Sequence, residues 1–169
     1  MSFDIEKERP HWNAMALAMG ADFIEQTRYE LFLDVLKTSG KVRTIVGGNS
    51  MLPTLWVGDL LTVEAGRADE MSSGDIIVCF QAGRFCTHRV LGRQGQHLLT
   101  RGDANLRIDP PVSAEECFGR VVSAERNGRP IALRYRPMLS FLIRHSNLIR
   151  RIFYWSRVRQ RSSDSSAST

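Results

Sequence analysis

From residue 13 to residue 37 the apolar side chains Leu17, Phe23, Ile24, Leu31, Val35 and Leu36 recur at mostly helical spacing, with Glu, Gln, Arg and Asp between them. That period gathers them on one face of a 3.6-residue repeat and predicts one or two amphipathic helices within an N-terminal segment, residues 1–40. Gly20 is a candidate break and Ser39-Gly40 a candidate stop, because glycine accepts the left-handed backbone that ends many helices. After Gly40 the pattern changes to short, β-branched runs: Lys41 to Val46, Leu60 to Glu64, Asp75 to Phe80, Arg84 to Leu91, His97 to Arg101, Phe118 to Glu125 and Ile131 to Tyr135. These predict strands. Turn formers separate them, among them Gly58-Asp59, Ser73-Gly74-Asp75, Ala82-Gly83, Gln94-Gly95 and Asn127-Gly128, the last a strong hairpin signal. The expected fold is mainly β (α+β): a compact antiparallel sheet or barrel over residues 41–136, flanked by N-terminal and C-terminal helices. Residues 137–161 read as a basic amphipathic helix, and residues 162–169 as a disordered serine-rich tail with no apolar content to order it.

Composition narrows the class. The chain has 169 residues, 43% hydrophobic and 24% charged, enough for one domain with a core and unlike either a disordered or a mostly membrane-embedded chain. The net charge is +5 and the sequence pI about 9.6, and much of the charge lies late, in Arg144, Arg150, Arg151, Arg157, Arg159 and Arg161. Phe141, Leu142, Ile152, Phe153, Tyr154 and Trp155 interleave with these arginines. That mixture points to peripheral contact with a lipid surface, or to a packed helix with a solvated basic face, and not to nucleic acid. No run reaches the ~18 apolar residues of a spanning helix, and an N-terminus with Asp4, Glu6 and Glu8 is not a cationic secretory signal. The expected location is the cytoplasm or the periphery of a membrane. Cys79, Cys86 and Cys117 are odd in number and fit no C-x-x-C spacing, so they read as reduced, with Cys79 and Cys86 acting as small hydrophobes in strands.

The segment Gly47-Gly48-Asn49-Ser50-Met51-Leu52-Pro53-Thr54-Leu55 ends a β run and turns the backbone. Glycines there permit close approach of a substrate chain and Pro53 stiffens the exit, so Ser50 could present its hydroxyl outward beside backbone N–H groups. A tight turn in which Ser50 bonds its own backbone explains the same residues. A serine hydroxyl needs a base to become a nucleophile. His88, in a run that alternates faces, offers an imidazole held by a rigid strand, and imidazoles titrate near neutrality. His11, His97 and His145 have no neighbouring motif and read as surface or packing residues. Two carboxylates follow His88: Asp103, in Thr100-Arg101-Gly102-Asp103-Ala104-Asn105, and Asp109 before Pro110-Pro111. Either could orient the imidazole as the acid of a Ser-His-Asp unit, and Asp103 could equally cap its own turn. No clustered Cys/His ligands suggest a metal, and no cofactor is expected.

The ordered blocks Gly-Asn-Ser-Met-Leu-Pro-Thr-Leu, Gly-Asp-Leu-Leu, Ser-Gly-Asp-Ile-Ile-Val, His-Arg-Val-Leu and Thr-Arg-Gly-Asp-Ala-Asn, spread over residues 42–122, resemble those of type I signal peptidases. The resemblance is nearest to the branch that has histidine where the bacterial enzymes use lysine. It implies a serine endopeptidase with Ser50 as nucleophile, His88 as base, Asp109 as supporting acid and Asp103 nearby. It also implies the Ser50 N–H as oxyanion donor, with Asn49, Met51 and Pro53 around the substrate, a peptide or preprotein with small residues before the cut, and signal- or leader-peptide processing. The chain departs from the family in lacking an evident membrane anchor before the serine block. A non-catalytic peptide-binding module of the same fold and a self-cleaving regulator of the LexA type are the alternatives. The latter type employs lysine and carries a DNA-binding helix-turn-helix, which the first helices here do not resemble.

Overall fold

Two-residue turns set much of the topology. At Ala82-Gly83 and Asn127-Gly128 both central residues have positive φ (50° and 75°, 51° and 72°), the twist that returns a strand directly onto its neighbour. A computed structural model describes residues 27–146. It begins in a helix, α1 (residues 27–39), which stops at Gly40, where φ is +69° and the N–H donates to the Leu36 carbonyl at 2.9 Å. Seven strands follow: β1 (Lys41–Ile45), β2 (Leu60–Ala65), β3 (Ile76–Gln81), β4 (Arg84–Gln94), β5 (His97–Arg101), β6 (Cys117–Arg126) and β7 (Arg129–Ile131). A second helix, α2 (Pro137–His145), closes the described chain. Among the described residues no helix is long and apolar enough to cross a membrane.

The strands form one open antiparallel sheet in the order β1-β2-β6-β3-β4-β5, with β7 paired to the far end of β6. The fold is mainly β, as the sequence predicts. The last strand differs from expectation, covering Arg129–Ile131 instead of residues 131–135. The tight Asn127-Gly128 turn begins pairing at once, Arg126 opposite Arg129, and the Leu133 carbonyl is committed elsewhere, to Arg89 at 3.2 Å. The proposed break at Gly20, the helix content before residue 27, the helix beyond residue 146 and the serine-rich tail lie outside the described residues.

Alternation along the strands builds a core on each face of the sheet. On one face Val46, Met51, Leu55, Leu61, Val63, Val78 and Val121 pack under Phe32 and Leu36 of α1. On the other, Ile77, Cys79, Val90, Leu98, Val112 and Cys117 pack together. A third cluster joins Leu139 and Ile143 of α2 to Leu52, Trp56 and Ala104, so α2 braces the two loops that follow β1 and β5.

The reading of the cysteines needs correction. Cys79 and Cys86 form a disulfide across the β3–β4 hairpin, with Cα atoms 5.3 Å apart, and Cys117 alone is a buried free thiol. The hairpin register places the pair directly opposite each other, a proximity that odd-number counting does not reveal.

Candidate active site

β1 runs into the loop at residues 46–59, which carries Ser50. The Val46 N–H donates to the Asp59 carbonyl at 2.9 Å and the Gly58 N–H returns to the Val46 carbonyl at 2.9 Å, closing the loop at its base. The Asp59 carboxylate, 1% exposed, accepts from the Trp56 N–H at 2.7 Å and from Arg126 at 2.8 and 2.6 Å. Inside the loop the Leu55 N–H donates to the Met51 carbonyl at 3.0 Å. Ser50 is thereby held on a rigid turn instead of a mobile tip.

β4 brings His88 to it. His88 Nε2 lies 2.9 Å from Ser50 Oγ, and Nδ1 lies 2.6 Å from Asp109 Oδ2. The Thr100 hydroxyl donates to the same carboxylate oxygen at 2.8 Å, and the Asp109 N–H donates to the Thr100 carbonyl at 2.9 Å. A carboxylate only accepts, so the hydrogen on the ring belongs to Nδ1, and Nε2 keeps a lone pair for the serine hydroxyl. The His88 and Asp109 side chains are 12% and 17% exposed, shielded but reachable. Of the two carboxylates left open by the sequence, Asp109 is the one bonded to His88.

Asp103 does something else. Its carboxylate, 2% exposed, takes both forks of the Arg89 guanidinium, Nε at 2.9 Å and Nη2 at 2.8 Å, and a bond from the Thr54 hydroxyl. Arg89 also donates to the carbonyls of Gly74 and Leu133 at 2.8 and 3.2 Å, and lies 5.4 Å from the Tyr135 ring centroid. Next to Asp103, the Ala104 N–H donates to the Ser50 carbonyl at 2.8 Å. This network ties the serine loop, β4 and the 102–105 turn into one piece, with Asp103 hydrogen-bonded to Arg89 and Thr54 and not to His88. Gly102 belongs to the same fitting: a Cβ there would sit 2.6 Å from the Ser50 carbonyl oxygen and 2.9 Å from Ser50 Cβ, so any side chain would push Ser50 aside.

Ser50 and His88 open onto a groove of about 870 Å³ between α1, β1 and β4. Gly47 and Gly48 line it, and a Cβ on either would meet nothing within 4 Å. Met51 reaches the groove from the core, whereas Asn49 and Pro53 do not line it. Asn49 instead accepts the Leu52 N–H at 3.3 Å, and the Pro53 carbonyl accepts the Trp56 ring N–H at 3.0 Å. Among the described residues no acceptor takes the Ser50 N–H. His97 and His145 lie on exposed surface, His145 bonding the Phe141 carbonyl at 2.9 Å, and His11 falls outside the described residues. Among the described residues no cluster of three or more His, Cys, Asp or Glu side chains is arranged to hold a metal ion.

Arg89, Thr54 and Thr100 escaped the sequence reading. A charged residue in the middle of a strand beside His88 was the available signal for Arg89, since a buried arginine needs a paired acid. No family model and no curated protein matches the chain.

Proposed function

We propose that this chain is a serine endopeptidase similar to type I signal peptidases, acting through Ser50, His88 and Asp109. The observation that carries the reading is the continuous line from Ser50 Oγ to His88 Nε2 (2.9 Å) and from His88 Nδ1 to Asp109 Oδ2 (2.6 Å) at the floor of an open groove. The edges of that groove suit an extended peptide. Among the described residues β1 pairs only with β2, and residues 84–88 of β4 pair with β3 while β5 begins its pairing at Arg89. Both strands therefore offer a backbone edge to a substrate strand, the geometry of β-augmentation.

In this mechanism Ser50 Oγ attacks the scissile carbonyl carbon as its proton passes to His88 Nε2, and the Asp109 carboxylate stabilises the imidazolium so formed. The negative charge on the carbonyl oxygen is met by the Ser50 N–H. Collapse expels the amine, which takes the proton from Nε2, and leaves an acyl ester on Ser50. Water then attacks the ester, giving its proton to His88, and the serine oxygen recovers it as the acid departs.

The location that goes with this activity is the periphery of a membrane, with the basic segment after Pro137 as the contact, and the Cys79–Cys86 disulfide favours an oxidising side of that membrane over the reducing cytoplasm. Met138, Phe141 and Leu142 of α2 are exposed (82%, 57% and 47%), which supports an interfacial role for that segment.

Covalent labelling with a fluorophosphonate tests the chemistry. Wild type labels, and Ser50→Ala and His88→Ala label slower by at least about a thousandfold, with circular dichroism unchanged. Equal labelling of wild type and both variants refutes the reading.

A further inference from the structure

Three arginines, Arg28 from α1, Arg43 from β1 and Arg84 from β4, line the groove, and among the described residues no aspartate or glutamate does. Arg43 already holds Glu125 at 3.1 Å. Arg84 stands at the first position of β4, beside the Ala82-Gly83 turn, with its side chain exposed. His88 lies four positions further along the same strand, an even offset, so both side chains leave the same side of the pleat, roughly 13 Å apart along the strand. An extended peptide lying on this edge with its scissile bond at Ser50 therefore brings the side chain about four residues away to Arg84. The walls of the groove are apolar and open: Leu31 on α1 and Ile45 on β1 line it, 63% and 64% exposed. A cationic end without a lining carboxylate complements a negative side chain, and an arginine fork matches a carboxylate in both shape and charge.

Resting on the peptidase reading above, we infer that Arg84 is a specificity-determining residue that selects peptides with an acidic side chain about four residues from the cleaved bond. The substrate class is thus an extended segment whose middle is apolar and whose distal end carries a carboxylate.

The experiment is cleavage-site profiling with the full chain. A complex mixture of chymotryptic peptides from a denatured proteome, which keeps both acidic and basic residues at internal positions, is digested with wild type, Arg84→Gln, Arg84→Glu and, as blank, Ser50→Ala, and the new termini are identified by mass spectrometry. Thermal melts of each variant establish that it is folded. In wild type, Asp and Glu are enriched about three- to tenfold at one position four or five residues from the bond, on whichever side of it the Arg84 end lies. Arg84→Gln abolishes the enrichment and Arg84→Glu replaces it with Lys and Arg at the same position. Ser50-dependent cleavage with no charge preference, or with an acidic preference that survives Arg84→Glu, overturns the assignment while leaving the peptidase reading intact. Absence of any Ser50-dependent cleavage overturns both.

Discussion

Replacing each of the two aspartates by alanine separates the chemistry of the site from its scaffold. Asp109→Ala removes the carboxylate that accepts from His88 Nδ1 at 2.6 Å. A hydrogen bond to a charged group contributes about 1.5–3 kcal/mol, and each 1.36 kcal/mol is tenfold in rate, so acylation should slow by roughly 10- to 150-fold. The side chain is 17% exposed, and its removal takes the acceptor from the buried Thr100 hydroxyl but leaves no buried charge behind, so the melting temperature should fall less than in Asp103→Ala. Asp103→Ala does the reverse. It strands the Arg89 guanidinium, 6% exposed, without its carboxylate, and breaking such a buried pair costs about 3–5 kcal/mol. For a chain of 169 residues that is a fall in Tm of roughly 6–20 °C. Labelling of the folded fraction, well below the transition, should stay within about tenfold of wild type, since Asp103 bonds Arg89 and Thr54 whereas His88 bonds Ser50 and Asp109. The assays are single-turnover fluorophosphonate labelling and scanning calorimetry on the same preparations. Asp109→Ala labelling at the wild-type rate would remove it from the catalytic unit. Asp103→Ala melting like wild type while losing its labelling would place Asp103 in the chemistry and refute the division of roles.

Two other outcomes follow from the fold. Burial pushes the Cys117 thiol above its ordinary pKa, so the reactive thiolate is scarcer than in the unfolded chain, and iodoacetamide at pH 8 should leave the native protein unmodified. Without reductant, denaturation should expose one alkylation site and, with reductant, three, because Cys79 and Cys86 are bridged; three sites without reductant would contradict the disulfide. The full chain should float with vesicles containing anionic lipid at low salt and lose that association when the segment after Pro137 is removed, whereas failure of the full chain to float would exclude the membrane contact.

Local chemistry made much of this fold readable. Six of the seven strand runs match within a few residues, because β-branched runs and Gly-containing turns act over short stretches of chain. Ser50 and His88 stood out for the same reason, one on a glycine-rich turn and the other in an alternating strand. What stayed hidden depends on register and return paths. Asp103 and Asp109 lie six residues apart in the chain that follows the same strand. Only the hydrogen bonds that fold residues 108–112 back over β5, Asp109 N–H to Thr100 and the paired bonds of Leu98 with Val112, decide which one meets the imidazole. The disulfide was closer to reach. A two-residue turn at Ala82-Gly83 puts Cys79 and Cys86 opposite each other, so combining turn and register would have found it where spacing motifs did not.

The division of labour between the two aspartates has a single origin in strand geometry. His88 and Arg89 are consecutive on β4, so their side chains leave opposite faces of the sheet. One face receives the hydrogen-bonded line through Ser50, His88 and Asp109, and the other receives the buried Arg89–Asp103–Thr54 network. Both lines begin in the loop after β1, at Ser50 and Thr54, and end in the chain after β5, at Asp103 and Asp109. The same three segments are thus clamped twice, once by bonds that exchange a proton in the proposed mechanism and once by bonds that are buried and need never change. Removing the second clamp should therefore loosen the whole domain before it alters proton transfer. A one-residue slip of β4 would exchange the faces and abolish both at once, which makes the Cys79–Cys86 bridge, two residues from His88 and fixing that register, a part of the site's rigidity as well as of the hairpin's.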